Sequence, residues 1–219
     1  MPYHARALKL DRMAELLDRL HNPQRHLPVV HIAGTKGKGS TAVMVAEMLG
    51  HAGFLCGLYT SPHLERIEER MVVGGQTCSE QEFVDLVTHI KPVVEDMDRR
   101  STKCTPAIPG PTYFEILTAM ALLYFASRHV DVAVLETGLG GRLDSTNLCE
   151  PLVSVITTIS FDHMEQLGAQ TRVARRPILE DTLFDAFLTL LNAFFTFFKR
   201  FFSFLIGISF FFHFYFSSS

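Results

Sequence analysis

The sequence predicts an α/β fold: a mostly parallel, doubly wound sheet with a phosphate loop. Two observations lead to this prediction. Short apolar runs rich in β-branched residues alternate with helical patterns along most of the chain. The first of these runs ends in a glycine- and lysine-rich segment, residues 34–40, and a helical pattern follows it. In such a sheet ligands bind beyond the carboxyl ends of the strands.

Hydrophobic periodicity and turn residues place the individual elements. Residues 27–33 form a continuous apolar run, as expected of a strand buried on both faces. A Gly-Gly pair after residue 73 predicts a tight turn, and Ser79 with Glu82 forms a capping box that opens a helix. In chain order the predicted elements are helix 9–20, strand 27–33, helix 41–49, strand 54–59, strand 70–73, helix 79–89, a proline-rich loop 98–112, helix 113–127, strand 130–135 and strand 152–159.

The composition excludes several classes of protein. The chain has 219 residues and a formal net charge of -3, so it shows no basic excess of the kind that nucleic-acid binding requires. Its four cysteines form no C-x-x-C pair, which argues against a zinc site or a disulfide framework and predicts a reducing cytoplasm. The first ten residues contain no apolar core of a secretory signal.

Residues 34–40 have the composition of a phosphate-binding loop. Glycines let backbone N–H groups approach phosphate oxygens, and the N-terminus of the following helix adds partial positive charge. Lys38 is expected to contact the β- and γ-phosphates, although Gly39 separates it from Ser40, unlike in the general G-x-x-x-x-G-K-[ST] pattern. A glycine-rich turn without a ligand is the alternative. The predicted ATP-binding residues are Gly34, Thr35, Gly37, Lys38, Gly39 and Ser40.

Two further polar segments follow predicted strands. Glu136 comes directly after the run 130–135, and Asp162-His163 follow the run 152–159. A carboxylate is a hard oxygen ligand that suits Mg²⁺, so beside a phosphate loop Glu136 is expected to bind the metal rather than to cap a turn. A lone histidine is more often structural, and neutral imidazole is an unusual partner for Mg²⁺.

Five motifs occur along the chain in a fixed order: GTKGKGS, TSPHL, TYFE, ETGLGGRLDSTN and SFDHMEQLG. Together they resemble folylpolyglutamate synthase and dihydrofolate synthase, which are Mur-ligase-like, ATP-dependent amide ligases. The resemblance covers about residues 1–168 and implies an incomplete Mur-ligase-like ATP-binding domain over that range. It also implies ATP and Mg²⁺ as cofactors, with L-glutamate and either a folate or dihydropteroate as substrates.

The resemblance implies roles for individual residues. The implied metal ligands are Ser61, Glu136 and His163, and the implied catalytic residues are Lys38, Glu136 and His163. The implied lining of the pteroate pocket is Thr112, Tyr113, Phe114 and Leu143. By sequence alone, the aromatic segment 112–114 is instead expected to pack in the core. In the implied reaction the γ-phosphate of ATP passes to a substrate carboxylate, and the amine of glutamate then displaces it to form an amide.

The family pattern stops after Gly168, and residues 169–219 are predicted to be a separate, low-complexity tail. Of the 19 phenylalanines in the chain, 14 lie between Phe184 and Phe216. An aberrant tail, such as a shifted reading frame produces, is favoured over a membrane anchor. The run 201–216 lacks strong charges but is shorter than the roughly 20 residues that a spanning helix needs.

Three functional hypotheses follow from these patterns. The first is a truncated ATP-dependent folate ligase with little or no turnover, because family members continue into a second α/β domain. The second is a nucleotide-binding module without catalysis, and the third is a tail-anchored membrane protein. The resemblance implies a monomer.

Overall fold

Six strands and four α-helices make up the part of the chain that this computed structural model describes, residues 10–101 and 110–159. The strands are β1 (Val29–Ala33), β2 (Cys56–Tyr59), β3 (Met71–Val73), β4 (Gln76–Thr77), β5 (Val132–Glu136) and β6 (Pro151–Ile156). The helices are α1 (Leu10–Arg19), α2 (Lys38–His51), α3 (Glu80–Ser101) and α4 (Tyr113–Ser127). Short 3₁₀ turns occupy Pro23–His26, Ile67–Arg70 and Ser145–Leu148.

The strands form one sheet in the order β4-β3-β2-β5-β1-β6. The four strands β2, β5, β1 and β6 run parallel to one another, whereas β3 pairs antiparallel with β2 and β4 pairs antiparallel with β3. The predicted mostly parallel α/β sheet is therefore confirmed. Because the four parallel strands share a direction, the loops that leave their carboxyl ends lie along one edge of the sheet.

The antiparallel hairpin of β3 and β4 depends on two glycines. Gly74 and Gly75 have φ angles of 58° and 78°, and the strands pair Val73 with Gln76 across them. A two-residue hairpin turn with positive φ at both positions strongly favours glycine. The predicted strand and tight turn are confirmed here.

Helices cover both faces of the sheet, as a doubly wound fold requires. On one face α4 packs over the sheet, with α1 and α3 beside it, and the core includes Met13, Leu17, Phe125 and Leu135. On the other face α2 contacts β1, β2 and β5. The contact of α4 with β2 is close, because a Cβ on Gly57 would lie 2.8 Å from a ring carbon of Phe125.

Two predicted helix boundaries were wrong. The helix expected to end near His89 continues through Pro92 to Ser101, so residues 98–101 are helical rather than part of a loop. Ile90 and Met97 are buried in the core, and this packing outweighs the hydrogen bond that proline removes. Helix α2 begins at Lys38 rather than at residue 41, and its N-cap is Gly37, in the left-handed conformation that glycine adopts readily.

Residues 1–9, 102–109 and 160–219 lie outside the described residues. They include the predicted metal ligand His163 and the Phe-rich tail, so the division at residue 168 stays a prediction. Among the residues that are described, no helix has both the length and the apolar character needed to cross a membrane.

Candidate nucleotide site

Loops from four parallel strands meet at the carboxyl edge of the sheet. The phosphate loop follows β1, the Thr60-Ser61-Pro62 loop follows β2, and Glu136 is the last residue of β5. Thr157 and Thr158 follow β6. Hydrogen bonds join these segments to one another. The convergence expected from the sequence therefore occurs for every segment that lies within the described residues.

The phosphate loop is shaped by two glycines and ends in a helix. Gly34 and Gly37 have φ angles of 140° and 80°, which favour glycine. Lys38, Gly39 and Ser40 form the first turn of α2, so their N–H groups lie at the positive end of the helix dipole. The Thr41 hydroxyl donates to the carbonyl of Gly37 at 2.8 Å, whereas the Ser40 side chain is exposed. Ser40 is therefore the better placed of the two hydroxyls to meet a ligand.

Glu136 joins three of these segments. Its side chain is only 5% exposed, and its Oε2 accepts a hydrogen bond from the N–H of Ser61 at 3.0 Å. The first turn of α2, at Gly39, lies against the same carboxylate. Burial raises the pKa of Glu136 above its ordinary value, while the Ser61 N–H and the positive charge of Lys38 oppose that rise.

Gly39 lies beside Glu136. A Cβ at this position would lie 3.4 Å from Oε2, which is an ordinary contact distance. The first turn of α2 therefore packs directly against the end of β5, and the glycine that interrupts the general phosphate-loop pattern lies at this contact.

The residues present fit a hard divalent cation. A buried carboxylate whose pKa is raised by desolvation would be stabilised by a cation, and Ser40 and Ser61 offer hydroxyl oxygens on the adjoining loops. In the described part of the chain, no three His, Cys, Asp or Glu side chains cluster as a ready-made metal site. The third implied ligand, His163, lies outside that part.

A second buried carboxylate, Asp144, fixes the glycine-rich loop that follows Glu136. Its oxygens accept hydrogen bonds from the N–H of Leu139 at 2.9 Å and from the N–H and hydroxyl of Thr146 at 3.1 and 2.6 Å. Burial raises the pKa of Asp144, and these hydrogen bonds oppose the rise.

His31 supports this loop from beneath. Its Nε2 lies 2.7 Å from the Thr146 hydroxyl oxygen. Since Thr146 donates its single hydroxyl proton to Asp144, its oxygen accepts from His31, and Nε2 must carry the ring proton. Burial lowers the pKa of His31 to about 4, so the ring is neutral at pH 7.

The sequence analysis missed this His31–Thr146–Asp144 chain, although two features pointed to it. A histidine inside the apolar run 27–33 needs a buried partner. Asp144 precedes Ser-Thr, and an Asp at this spacing commonly accepts from the N–H two residues on, as it does here at the start of a 3₁₀ turn.

The predicted pteroate-pocket residues divide into two groups. Thr112 caps α4 by accepting from the Glu115 N–H, and Phe114 packs against Gly138 and lies 6.2 Å from the Tyr59 ring. Tyr113 is 58% exposed, with the guanidinium of Arg70 6.0 Å from its ring centre, and Leu143 is also exposed. Core packing, the expectation from the residues alone, therefore describes Phe114 but not Tyr113.

This sheet, with a phosphate loop leading into α2, has the architecture of a Mur-ligase-like α/β domain. A dihydrofolate synthase/folylpolyglutamate synthase of Bacillus subtilis (strain 168) is 47% identical over 160 residues, which is 73% of this chain and 36% of that protein. A protein of the same name from Mycobacterium tuberculosis is 44% identical over 161 residues, 73% of this chain and 33% of that protein. No protein-family model matches the chain.

Solved structures agree with these relatives. A complex of folylpolyglutamate synthase (FPGS) with AMPPCP and folate superposes with a TM-score of 0.70 at 38% identity. The match covers 78% of this chain and 40% of that one. Mycobacterium tuberculosis folylpolyglutamate synthase, complexed with ADP and AMPPCP, gives a TM-score of 0.68 at 44% identity, covering 74% and 36%.

These comparisons confirm the resemblance to the folylpolyglutamate synthase/dihydrofolate synthase family over about 73% of the chain. The chain spans about a third of the length of the curated relatives it matches. Partial coverage of this kind fits an N-terminal segment, as the sequence predicts.

We expect His31 to make the fold sensitive to acid. Its folded pKa of about 4 lies below the ordinary 6.5, so the stability that neutral His31 contributes is complete above pH 6.5 and is lost as the pH falls towards 4. Over this window the unfolding free energy of the parent should fall by roughly 3 kcal/mol more than that of His31→Gln. Urea titrations at pH 7.5, 6, 5 and 4 measure the difference.

His89→Gln is the matched control, because His89 is exposed on α3. It should follow the parent across the pH series. The account of His31 as a buried, neutral donor is wrong if His31→Gln loses as much stability as the parent between pH 6.5 and 4.

Proposed function

We propose that the chain carries the nucleotide-binding part of an ATP-dependent ligase that joins L-glutamate to the carboxylate of a folate or of dihydropteroate. The observation that carries the proposal is the Glu136 carboxylate, which accepts a hydrogen bond from the Ser61 N–H, lies against Gly39 at the start of α2 and is near the positive charge of Lys38. The relatives named for this activity, and the FPGS complex with AMPPCP and folate, support it.

In the proposed reaction the substrate carboxylate attacks the γ-phosphorus of ATP, ADP leaves, and an acyl phosphate forms. The amine of glutamate then attacks the acyl carbon, releasing phosphate and a proton as the amide forms. The N–H groups of residues 37–40 and the Lys38 ammonium bind the phosphate oxygens and stabilise their negative charge during transfer.

The metal ligands proposed are Ser61, Glu136 and His163. A bound Mg²⁺ would supply charge neutralisation at the phosphates. Glu136 would also support the phosphate loop, because Gly39 in the first turn of α2 lies against the same carboxylate.

The acceptor substrate is proposed to lie near the start of α4. Tyr113 presents an exposed ring that can stack on a flat pterin, and Leu143 adds an exposed apolar side chain. Thr112 and Phe114 would shape the wall behind them, since Phe114 already packs against Gly138.

We also propose a cytoplasmic, monomeric protein that binds small molecules rather than nucleic acid. Within the described residues Cys56, Cys78 and Cys149 are free, buried thiols, which suits a reducing compartment. Burial raises the pKa of Cys149 to about 12, so this thiol is protonated and unreactive at pH 7.

Removing the charge of Lys38 tests the phosphate site. Lys38→Met should weaken binding of Mg-AMPPCP at least tenfold, since a hydrogen bond to a charged group contributes about 1.5–3 kcal/mol. Lys91→Met removes the same charge from an exposed position of α3 and should leave the affinity unchanged. Isothermal titration calorimetry measures both. Equal affinity of Lys38→Met and the parent would contradict the phosphate-loop assignment.

Glu136→Gln tests the metal site. The amide keeps the shape and one acceptor oxygen but lacks the negative charge that a hard cation requires. Affinity for AMPPCP measured with Mg²⁺ should therefore fall by more than the affinity measured in EDTA. Equal losses under the two conditions would leave Glu136 with only its hydrogen-bonding role.

A nucleotide-binding module without turnover is the second candidate, and the comparisons do not favour it over the ligase. Acyl-phosphate chemistry needs ATP, carboxylate and amine held together, and a misplacement of about 1 Å can cost ~100-fold in rate. We expect the 219-residue chain to bind Mg-ATP but to release little phosphate with glutamate and either dihydropteroate or tetrahydrofolate. Turnover like that of a full-length relative in the same assay would exclude this candidate.

A further inference from the structure

The two threonines that follow β6 hold one peptide group of the phosphate loop. The hydroxyls of Thr157 and Thr158 both donate to the carbonyl oxygen of Lys36, at 2.7 and 3.1 Å. The N–H of Lys36 lies 3.3 Å from the Thr158 hydroxyl oxygen, so that hydroxyl bonds both polar groups of Lys36. The loop is thus fixed from outside its own motif.

Backbone hydrogen bonds bring the two threonines to the loop. The N–H of Thr157 donates to the carbonyl of Ala33 at 2.9 Å, and the N–H of Thr35 donates to the carbonyl of Thr158 at 2.7 Å. These bonds extend the pairing of β1 with β6 into the loop. A Cβ on Gly34 would overlap the Thr157 hydroxyl, so the glycine is needed for this close approach.

The direction of the Lys36 carbonyl sets the direction of the next N–H group. In a planar trans peptide the C=O of one residue and the N–H of the next point in opposite directions. Because the Lys36 carbonyl is turned towards the threonines, the N–H of Gly37 is turned away from them. Gly37 is the N-cap of α2, next to the N–H groups of Lys38 and Gly39.

We propose that Thr157 and Thr158 are positioning residues for the nucleotide phosphates. They act through the Lys36–Gly37 peptide. By binding its carbonyl oxygen, they orient the Gly37 N–H so that it can donate a hydrogen bond to a phosphate oxygen. This role rests on the proposed function, since it presumes that phosphates bind at the N-terminus of α2. The phosphate loop is therefore contacted from both sides of β1 in the sheet. Glu136 contacts it from β5, and the two threonines contact it from the end of β6.

The test compares valine and serine substitutions. Thr157→Val and Thr158→Val keep the branched shape but remove the hydroxyl. Each should weaken ADP binding by about three- to tenfold, the effect of one lost hydrogen bond, and the double variant should lose more. Thr157→Ser restores the hydroxyl and should bind within about twofold of the parent.

Two further measurements separate positioning from general destabilisation. Inorganic tripolyphosphate has no base, so its affinity should fall by the same factor as that of ADP if the fault lies at the phosphates. Thr88→Val removes a comparable bond, in which the Thr88 hydroxyl donates to the Val84 carbonyl at 2.8 Å on α3, and it should leave ADP affinity unchanged. Circular dichroism checks that each variant is folded.

The outcomes are distinguishable. If the parent binds ADP and both valine variants bind it equally well, this inference is wrong while the proposed function stands. If the parent binds neither ADP nor tripolyphosphate, the proposed function fails and the inference falls with it. Should Thr157→Val not fold, Thr158→Val decides, since Thr158 is exposed and contributes its own bonds to Lys36.

Discussion

One buried carboxylate determines the geometry of the whole site. Glu136 ends the central strand β5, accepts a hydrogen bond from the loop after β2 and lies against the first turn of α2. Since β5 lies between β2 and β1 in the sheet, a single side chain at its end can reach both neighbouring loops. Burying an ionisable group is unfavourable, and the Ser61 N–H together with Lys38 offsets part of that cost.

The remainder of the structure keeps these loops in place. On one side Thr157 and Thr158 hold the phosphate loop from β6, and on the other the His31–Thr146–Asp144 chain holds the loop that follows Glu136. The first support begins at the end of β6, and the second begins at His31 in β1. Hydrogen bonds from β6 and from β1 therefore fix these two loops relative to the sheet.

The sequence predicted five of the six described strands, their order among the helices, and the edge where function is expected, because apolar periodicity and glycine placement are local properties. It missed the two-residue strand β4 and extended the last strand three residues too far. Glu136 and Lys38 were predicted as site residues because each lies beside a recognisable strand or glycine loop. The long α3 was missed because core packing of Met97 outweighs the effect of Pro92. The bonds of Thr157 to Lys36 join residues 121 positions apart, and no local pattern reports such a contact.

The most direct test of the central claim is hydrogen–deuterium exchange with and without Mg-AMPPCP. If nucleotide phosphates bind where the Glu136 carboxylate joins its two loops, peptides covering residues 34–41 and 60–63 should exchange more slowly in the complex. Peptides from the middle of α3 should be unchanged. Protection confined to other parts of the chain, with none at residues 34–41, would contradict the account.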